Sequence, residues 1–168
     1  MHYLTIVLRL LHVGAGAFWF GSAILLGFYI SPTVAATGEV GQKFMGALVK
    51  NAGITKIISA AAGLTVLAGL GLYWIDSGGF SSAWTRSGPG VVFGIGGFFG
   101  LIGFIFGMQI GTNLNALVKV GSEVQGKPTA DQLGKIQTAQ KRLAVVGPVS
   151  AYSLIVSVIC MSVARYWF

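Results

Sequence analysis

Between Arg86 and Lys119 the chain reads SGPGVVFGIGGFFGLIGFIFGMQIGTNLNALV, from Ser87 to Val118 without one charged side chain. In lipid, every backbone amide of such a stretch must be paired, either within a helix or within a closed barrel. Nothing in it alternates with a period of two, which leaves the helix. Three more uncharged spans follow the same pattern: Leu10–Gly38, Ile57–Ile75 and Leu143–Ala164. The shortest, Ile57–Ile75, measures about 28 Å as a helix, enough for a typical hydrocarbon core. Trimmed at their ends, the spans predict transmembrane helices over Tyr3–Ile30, Ile54–Trp74, Val91–Thr112 and Leu143–Tyr166. The expected fold is all-α: a polytopic membrane protein, residues 1–168 forming one antiparallel four-helix domain.

Composition supports this. Charged residues are 9% and hydrophobic ones 54% of the 168 residues, against about 25% charged in a soluble domain. The net charge of +7 does not signal nucleic acid, because the basic residues are not gathered into a patch with interleaved aromatics. One cysteine, Cys160, excludes an internal disulfide and a cysteine-based zinc or iron–sulfur site within one chain. The first apolar stretch is too long for a signal-peptide core and lacks early Lys or Arg, so it is expected as a retained helix.

The connections give orientation. Lys43, Lys50, Lys56, Lys119, Lys127, Lys135, Lys141 and Arg142 fall in the first and third loops, while Arg9, Arg86 and Arg165 fall on the other side. By the positive-inside rule the long loops are cytoplasmic and both termini periplasmic, in a bacterial inner membrane. Tyr3, Tyr73, Trp74, Trp84, Tyr166 and Trp167 mark the outer interface. Asp76–Pro89 reads as a non-helical turn region. Glu39–Ala52 and Thr129–Leu143 read as amphipathic cytoplasmic helical extensions. Val40, Phe44 and Leu48 recur in the first, and Leu133, Ile136 and Leu143 share a face in the second. Pro32 is expected to close the first helix, and Pro148 to kink the fourth.

Small residues suggest how the helices meet. Gly96-xxx-Gly100 and Gly103-xxx-Gly107-xxx-Gly111 form ridges on the third helix, with Gly14, Gly21, Gly63 and Gly71 serving the first two. The third-helix ridge suits homodimerisation or, preferred, packing within the bundle.

Ionisable groups inside a membrane are the default functional candidates. Arg9 and His12 lie one turn apart on the first helix. His12 sits about 13 Å below the Tyr3 level, too deep to reach water as a long arginine can. A neutral imidazole there needs a metal, a cofactor or a hydrogen bond across the bundle, to Ser157 or Thr65 at its depth. Met161 and Cys160 lie about a turn shallower, so His12 with Met161 suits haem b. His12, Met161 and Cys160 suit copper less readily. Arg9 and Arg165 flank the outer end, where they suit haem propionates, or serve as interface anchors. Glu39, Asp76, Glu123 and Asp131 fall in loops, so no carboxylate pair and no catalytic residue is expected within the membrane.

The first helix reads Leu8-Arg9-Leu10-Leu11-His12-Val13, then Trp19-Phe20-Gly21, then Phe28 through Pro32, and the chain closes on Ala164-Arg165-Tyr166. This resembles the opening of small bacterial four-helix membrane proteins: the copper-resistance D type, the small membrane protoporphyrinogen oxidase type, and related uncharacterised families. The resemblance to the oxidase type implies haem at the first-helix histidine, here His12. The function expected is a non-catalytic membrane subunit or accessory protein of a larger complex, holding one haem b through His12. The alternative is a stand-alone haem- or copper-handling protein. Its expected partners are the lipid bilayer and other membrane subunits or a second copy.

Overall fold

A computed structural model describes residues 2–124 and 126–167, apart from the side chain of Ser82. Every regular element among them is helical: α1 His2–Ile24, α2 Ser31–Ala36, α3 Glu39–Lys50, α4 Ile54–Asp76, α5 Ser82–Thr85, α6 Gly88–Glu123 and α7 Ala130–Val163. Four helical runs, His2–Ala36, Ile54–Asp76, Gly88–Glu123 and Ala130–Tyr166, are long and apolar enough to cross a membrane. The packing is inverted relative to a water-soluble core. Buried positions hold small or polar residues such as Thr65, Ala68, Ser150, Ala151 and Ser157, while Leu67 is 70% exposed and Phe98 61%. Water would penalise that surface, whereas lipid does not.

The first run does not end at Pro32. The chain passes through one wide turn of π-helix, Leu25–Ile30, in which the Ser31 amide bonds back to the Leu26 carbonyl. Pro32 then sits in the first turn of α2, where its missing N–H and fixed φ are tolerated. Thr33 Oγ1 donates to the Tyr29 carbonyl at 2.7 Å and Thr37 Oγ1 to the Thr33 carbonyl at 2.7 Å, satisfying acceptors in the disturbed stretch. A breaker placed beside a π-turn thus redirects the helix without stopping it.

In α3 the buried stripe is Gly41, Met45 and Val49, with Leu48 half-buried. Val40 and Phe44, two of the recurring apolar residues of this segment, are exposed. Lys43 Nζ lies 2.8 Å from Glu39 Oε1 one turn away, and this hydrogen bond holds the Glu39 carboxyl below its ordinary range. The Asp76–Pro89 connection, expected without helix, contains the single turn α5. Ser77 organises its start, donating to the Trp74 carbonyl and accepting from the Phe80 amide at 2.8 Å.

Two helices exceed the bilayer. The 36 residues of α6 and 34 of α7 extend about 50 Å or more. Helix α6 starts on a Ser87 cap with Pro89 in its first turn. A reciprocal capping box of Thr129 and Gln132 starts α7 just after Pro128. Pro148 lies inside α7.

The α6–α7 seam is the largest interface, followed by α1–α4, with α4 also meeting α6. On the first seam Ser150 Oγ donates to the Gly103 carbonyl at 2.9 Å and Ser157 Oγ to the Gly96 carbonyl at 2.7 Å. Added carbon at Gly103 would stand 2.6 Å from Leu154 Cδ2, and at Gly100 3.2 Å from Ser157 Oγ. Gly96, Gly100, Gly103 and Gly107 of the third-helix ridge therefore pack on α7 of the same chain, while Gly111 faces Ser59 of α4. On the second seam the close approaches are Gly16, Gly69 and Gly71, whereas Gly14, Gly21 and Gly63 face open space.

Gly103→Ile is expected to lower stability by about 1–3 kcal/mol through overpacking. Gly97→Ala, with no atom within 4 Å of its added carbon, should be near neutral. Thermal unfolding in detergent checks this, and equal behaviour of the two variants would remove Gly103 from the seam.

Candidate functional site

Half-buried positions on α1 recur at Thr5, Leu8, His12, Ala15 and Gly16, leading to the buried Trp19. This stripe faces α4. Leu8 lies over Gly71, His12 over Gly69, and Gly16 over Thr65, whose methyl would stand 3.2 Å from a side chain added there. The imidazole of His12 fits because Gly69 has none: an added carbon would lie 2.8 Å from His12 Cε1 and 2.9 Å from Nδ1.

His12 Nδ1 lies 2.8 Å from the Thr65 carbonyl oxygen. A carbonyl only accepts, so Nδ1 carries the proton, and in the neutral ring Nε2 keeps its lone pair. The carbonyl's second lone pair serves here, as the first is used within α4. The Thr65 hydroxyl is itself committed to the Ala61 carbonyl at 2.8 Å. Nε2 has no hydrogen-bond partner among the described residues. Nδ1–H bonded to a backbone carbonyl, with Nε2 available, is the arrangement by which proteins orient a metal-ligating histidine. The bond expected across the bundle therefore exists, to the backbone of Thr65, while Ser157 is engaged with α6.

Arg9 points to the aromatic-rich end of the bundle. Its Nη2 lies 4.0 Å from Asp76 Oδ2, both side chains partly exposed. Asp76 ends α4 and lines, with Trp84, Pro89, Phe93 and Arg165, a cavity of about 260 Å³. Trp84 and Phe93 stack within 9° of parallel, centroids 6.5 Å apart. Tyr73 meets Trp84 edge-on and donates its hydroxyl to the Gly90 carbonyl at 3.2 Å. Arg9 thus comes within ion-pair range of Asp76, and Arg165 lines the same cavity as that carboxylate.

Cys160 and Met161 occupy the other seam. Cys160 Cβ and Met161 Cε would lie 3.1 and 3.2 Å from a carbon added at Gly96 of α6. His12 packs on α4 and these two pack on α6. Among the described residues no three His, Cys, Asp or Glu side chains form a metal-binding group. Sequence reasoning missed Gly69 and left Asp76 in a loop. Gly69 follows Thr65 by one helical turn, a spacing that marks the surface Thr65 presents to α1.

No protein-family model, curated protein or solved structure matches the chain.

Gly69→Ala is expected to push His12 off Thr65 and to cost about 1–3 kcal/mol. Gly63→Ala, which meets open space, should not. Nitrogen NMR of the imidazole in detergent reads the outcome directly. An unchanged Nδ1–H signal in Gly69→Ala would mean that the ring does not rest on that glycine.

Proposed function

We propose that this chain is a non-catalytic subunit or accessory protein of a bacterial inner-membrane complex, and that it would hold one haem b through His12. In this reading the four runs form an antiparallel bundle. The lysine-rich end, with α3 and the far halves of α6 and α7, lies in the cytoplasm, and both termini lie outside. The pairings Leu8–Gly71 to Gly16–Thr65, and Gly96–Ser157 to Gly103–Ser150, support the antiparallel order. The charge asymmetry supports the orientation.

The observation that carries the proposal is the commitment of His12 Nδ1 to Thr65, which leaves Nε2 as the basic nitrogen. The donor set suits haem, because haem iron accepts a neutral imidazole and its propionates accept arginine. His12 would hold the iron, and Arg9 and Arg165 at the outer end would receive the propionates. When bound, haem supplies one-electron transfer. The residues here orient it and set how far water reaches it. His12 is only half-buried, and Met161 and Cys160 are turned to α6. A site offering one ligand at a seam suits a subunit that shares its haem with a partner better than a stand-alone redox protein or a copper carrier.

The test is a reduced-minus-oxidised spectrum of the protein purified with its partners from haem-replete cells. Wild type should show a Soret band that His12→Ala largely removes, with membrane insertion intact. Arg9→Gln should weaken haem retention without shifting the band. Wild-type protein free of haem and rich in copper would favour the copper reading; protein free of both would make His12 a packing residue. For orientation, a periplasm-dependent reporter should work after Phe168 and fail at Gly126, and the reverse result would invert the topology.

A further inference from the structure

Beyond the membrane-spanning part, α6 and α7 run on side by side and frame a cleft of about 450 Å³ at the lysine-rich end. Counting about 20 residues of helix down from Ala164 reaches the far edge of the hydrocarbon core close to Arg142. The cleft therefore opens at the level of lipid headgroups. Its polar side chains include Asn113 on α6, and Asp131, Lys135 and Arg142 on α7.

These groups are not equivalent. Lys135 Nζ donates to Asp131 Oδ2 at 2.6 Å, so that pair largely neutralises itself. Arg142 has no ion-pair partner among the described residues. Asn113 is buried in the wall and uses one Nδ2 hydrogen on the Gln109 carbonyl at 2.7 Å, which leaves the second to donate. A guanidinium fork beside an amide N–H is a donor set for phosphate oxygens. Ala116, Gly134 and Ala139 supply the space.

We propose that this cleft binds the phosphate headgroup of an anionic phospholipid, with Arg142 as the charged donor and Asn113 as the neutral one. A lipid is favoured over a soluble anion because Val145, one turn further into α7, is 63% exposed and offers apolar surface to an acyl chain. The surrounding field agrees: eight basic side chains stand against Glu39, Glu123 and Asp131 in the segments at this end. The inference rests on the membrane orientation proposed above and is independent of the haem reading.

The experiment uses the full chain in neutral detergent, with thermal unfolding and native mass spectrometry. The probes are phosphatidylglycerol, phosphatidylcholine and inorganic phosphate. Phosphatidylglycerol should raise the melting temperature of wild type and stay bound, and phosphatidylcholine should do neither. Arg142→Gln should weaken phosphatidylglycerol binding about tenfold, the scale of one lost charged hydrogen bond. Lys141→Gln, adjacent in sequence but outside the cleft, should retain it. Equal effects of the two lipids, or equal behaviour of the two variants, would overturn the site. Protection by inorganic phosphate equal to that by phosphatidylglycerol would assign the cleft to a soluble anion and overturn the lipid. Release of the chain from alkali-washed membranes would overturn the membrane reading and the lipid with it. Failure of the lipid arm in a chain that stays in the pellet would overturn the lipid site alone.

Discussion

Two hydroxyls on carbonyls, Ser150 on Gly103 and Ser157 on Gly96, hold the widest seam of this molecule at backbone-contact distance. In lipid, helices gain little by burying leucine against leucine, because the surrounding chains are equally apolar. What remains is close van der Waals contact and the few hydrogen bonds that small residues permit. A glycine on α6 lets a serine of α7 reach a carbonyl whose second lone pair is unused. Each such bond contributes only about 0.6 kcal/mol, so specificity comes from fit along the whole stripe. Many large side chains are consequently turned outward, Trp19 and Leu154 being buried exceptions, and Ser77 and Ser150 are the largest side chains among those most completely buried.

The α1–α4 seam uses the same device with a different donor. His12 reaches the Thr65 carbonyl over a glycine, as Ser157 reaches Gly96. A serine hydroxyl spends its single proton in such a bond, and the seam would be equally well closed by it. An imidazole spends Nδ1–H and still carries Nε2. That free nitrogen is what the haem proposal rests on. A half-buried histidine costs more to place in lipid than a serine that would make the same single bond.

Much of the fold was legible in residue order because charge and apolar length decide it almost alone. The four spans, the helix over Glu39–Lys50 and the Thr129 start of α7 all follow from where Lys, Arg, Pro and Thr interrupt apolar runs. The depth estimate that put Thr65 level with His12 rests on helical rise from aromatic markers, and the structure pairs these two residues. What the sequence hid is rotational. Gly63 and Gly69 are alike as letters, and only the angle of α4 against α1 turns Gly69 inward and leaves Gly63 open. The same blindness hid which stripe of α3 packs: Gly41, Met45 and Val49 are buried while Val40 and Phe44 are exposed. Pro32 misled for another reason: proline ends a helix only if its neighbours cannot widen, and Leu25–Ile30 widens into a π-turn. The mutual placement of Met161, Cys160 and His12 was equally hidden, since depth along a helix says nothing about which seam a side chain enters.

The aromatic-rich end shows how a weak interaction leaves room for a stronger one. Arg9 and Asp76 approach only to 4.0 Å with both side chains partly in solvent, a geometry whose contribution is commonly near zero. Arg165 lines the cavity that the same carboxylate lines, so two basic residues and one acid lie at this end. Such a cluster keeps a net positive charge beside Trp84 and Phe93, whose stacked rings give a flat apolar wall. In the haem proposal, a propionate arriving there would displace no well-made salt bridge. Asp76 would then give up little if Arg9 turned to a stronger acceptor, since a pair at 4.0 Å in partial solvent is a weak one.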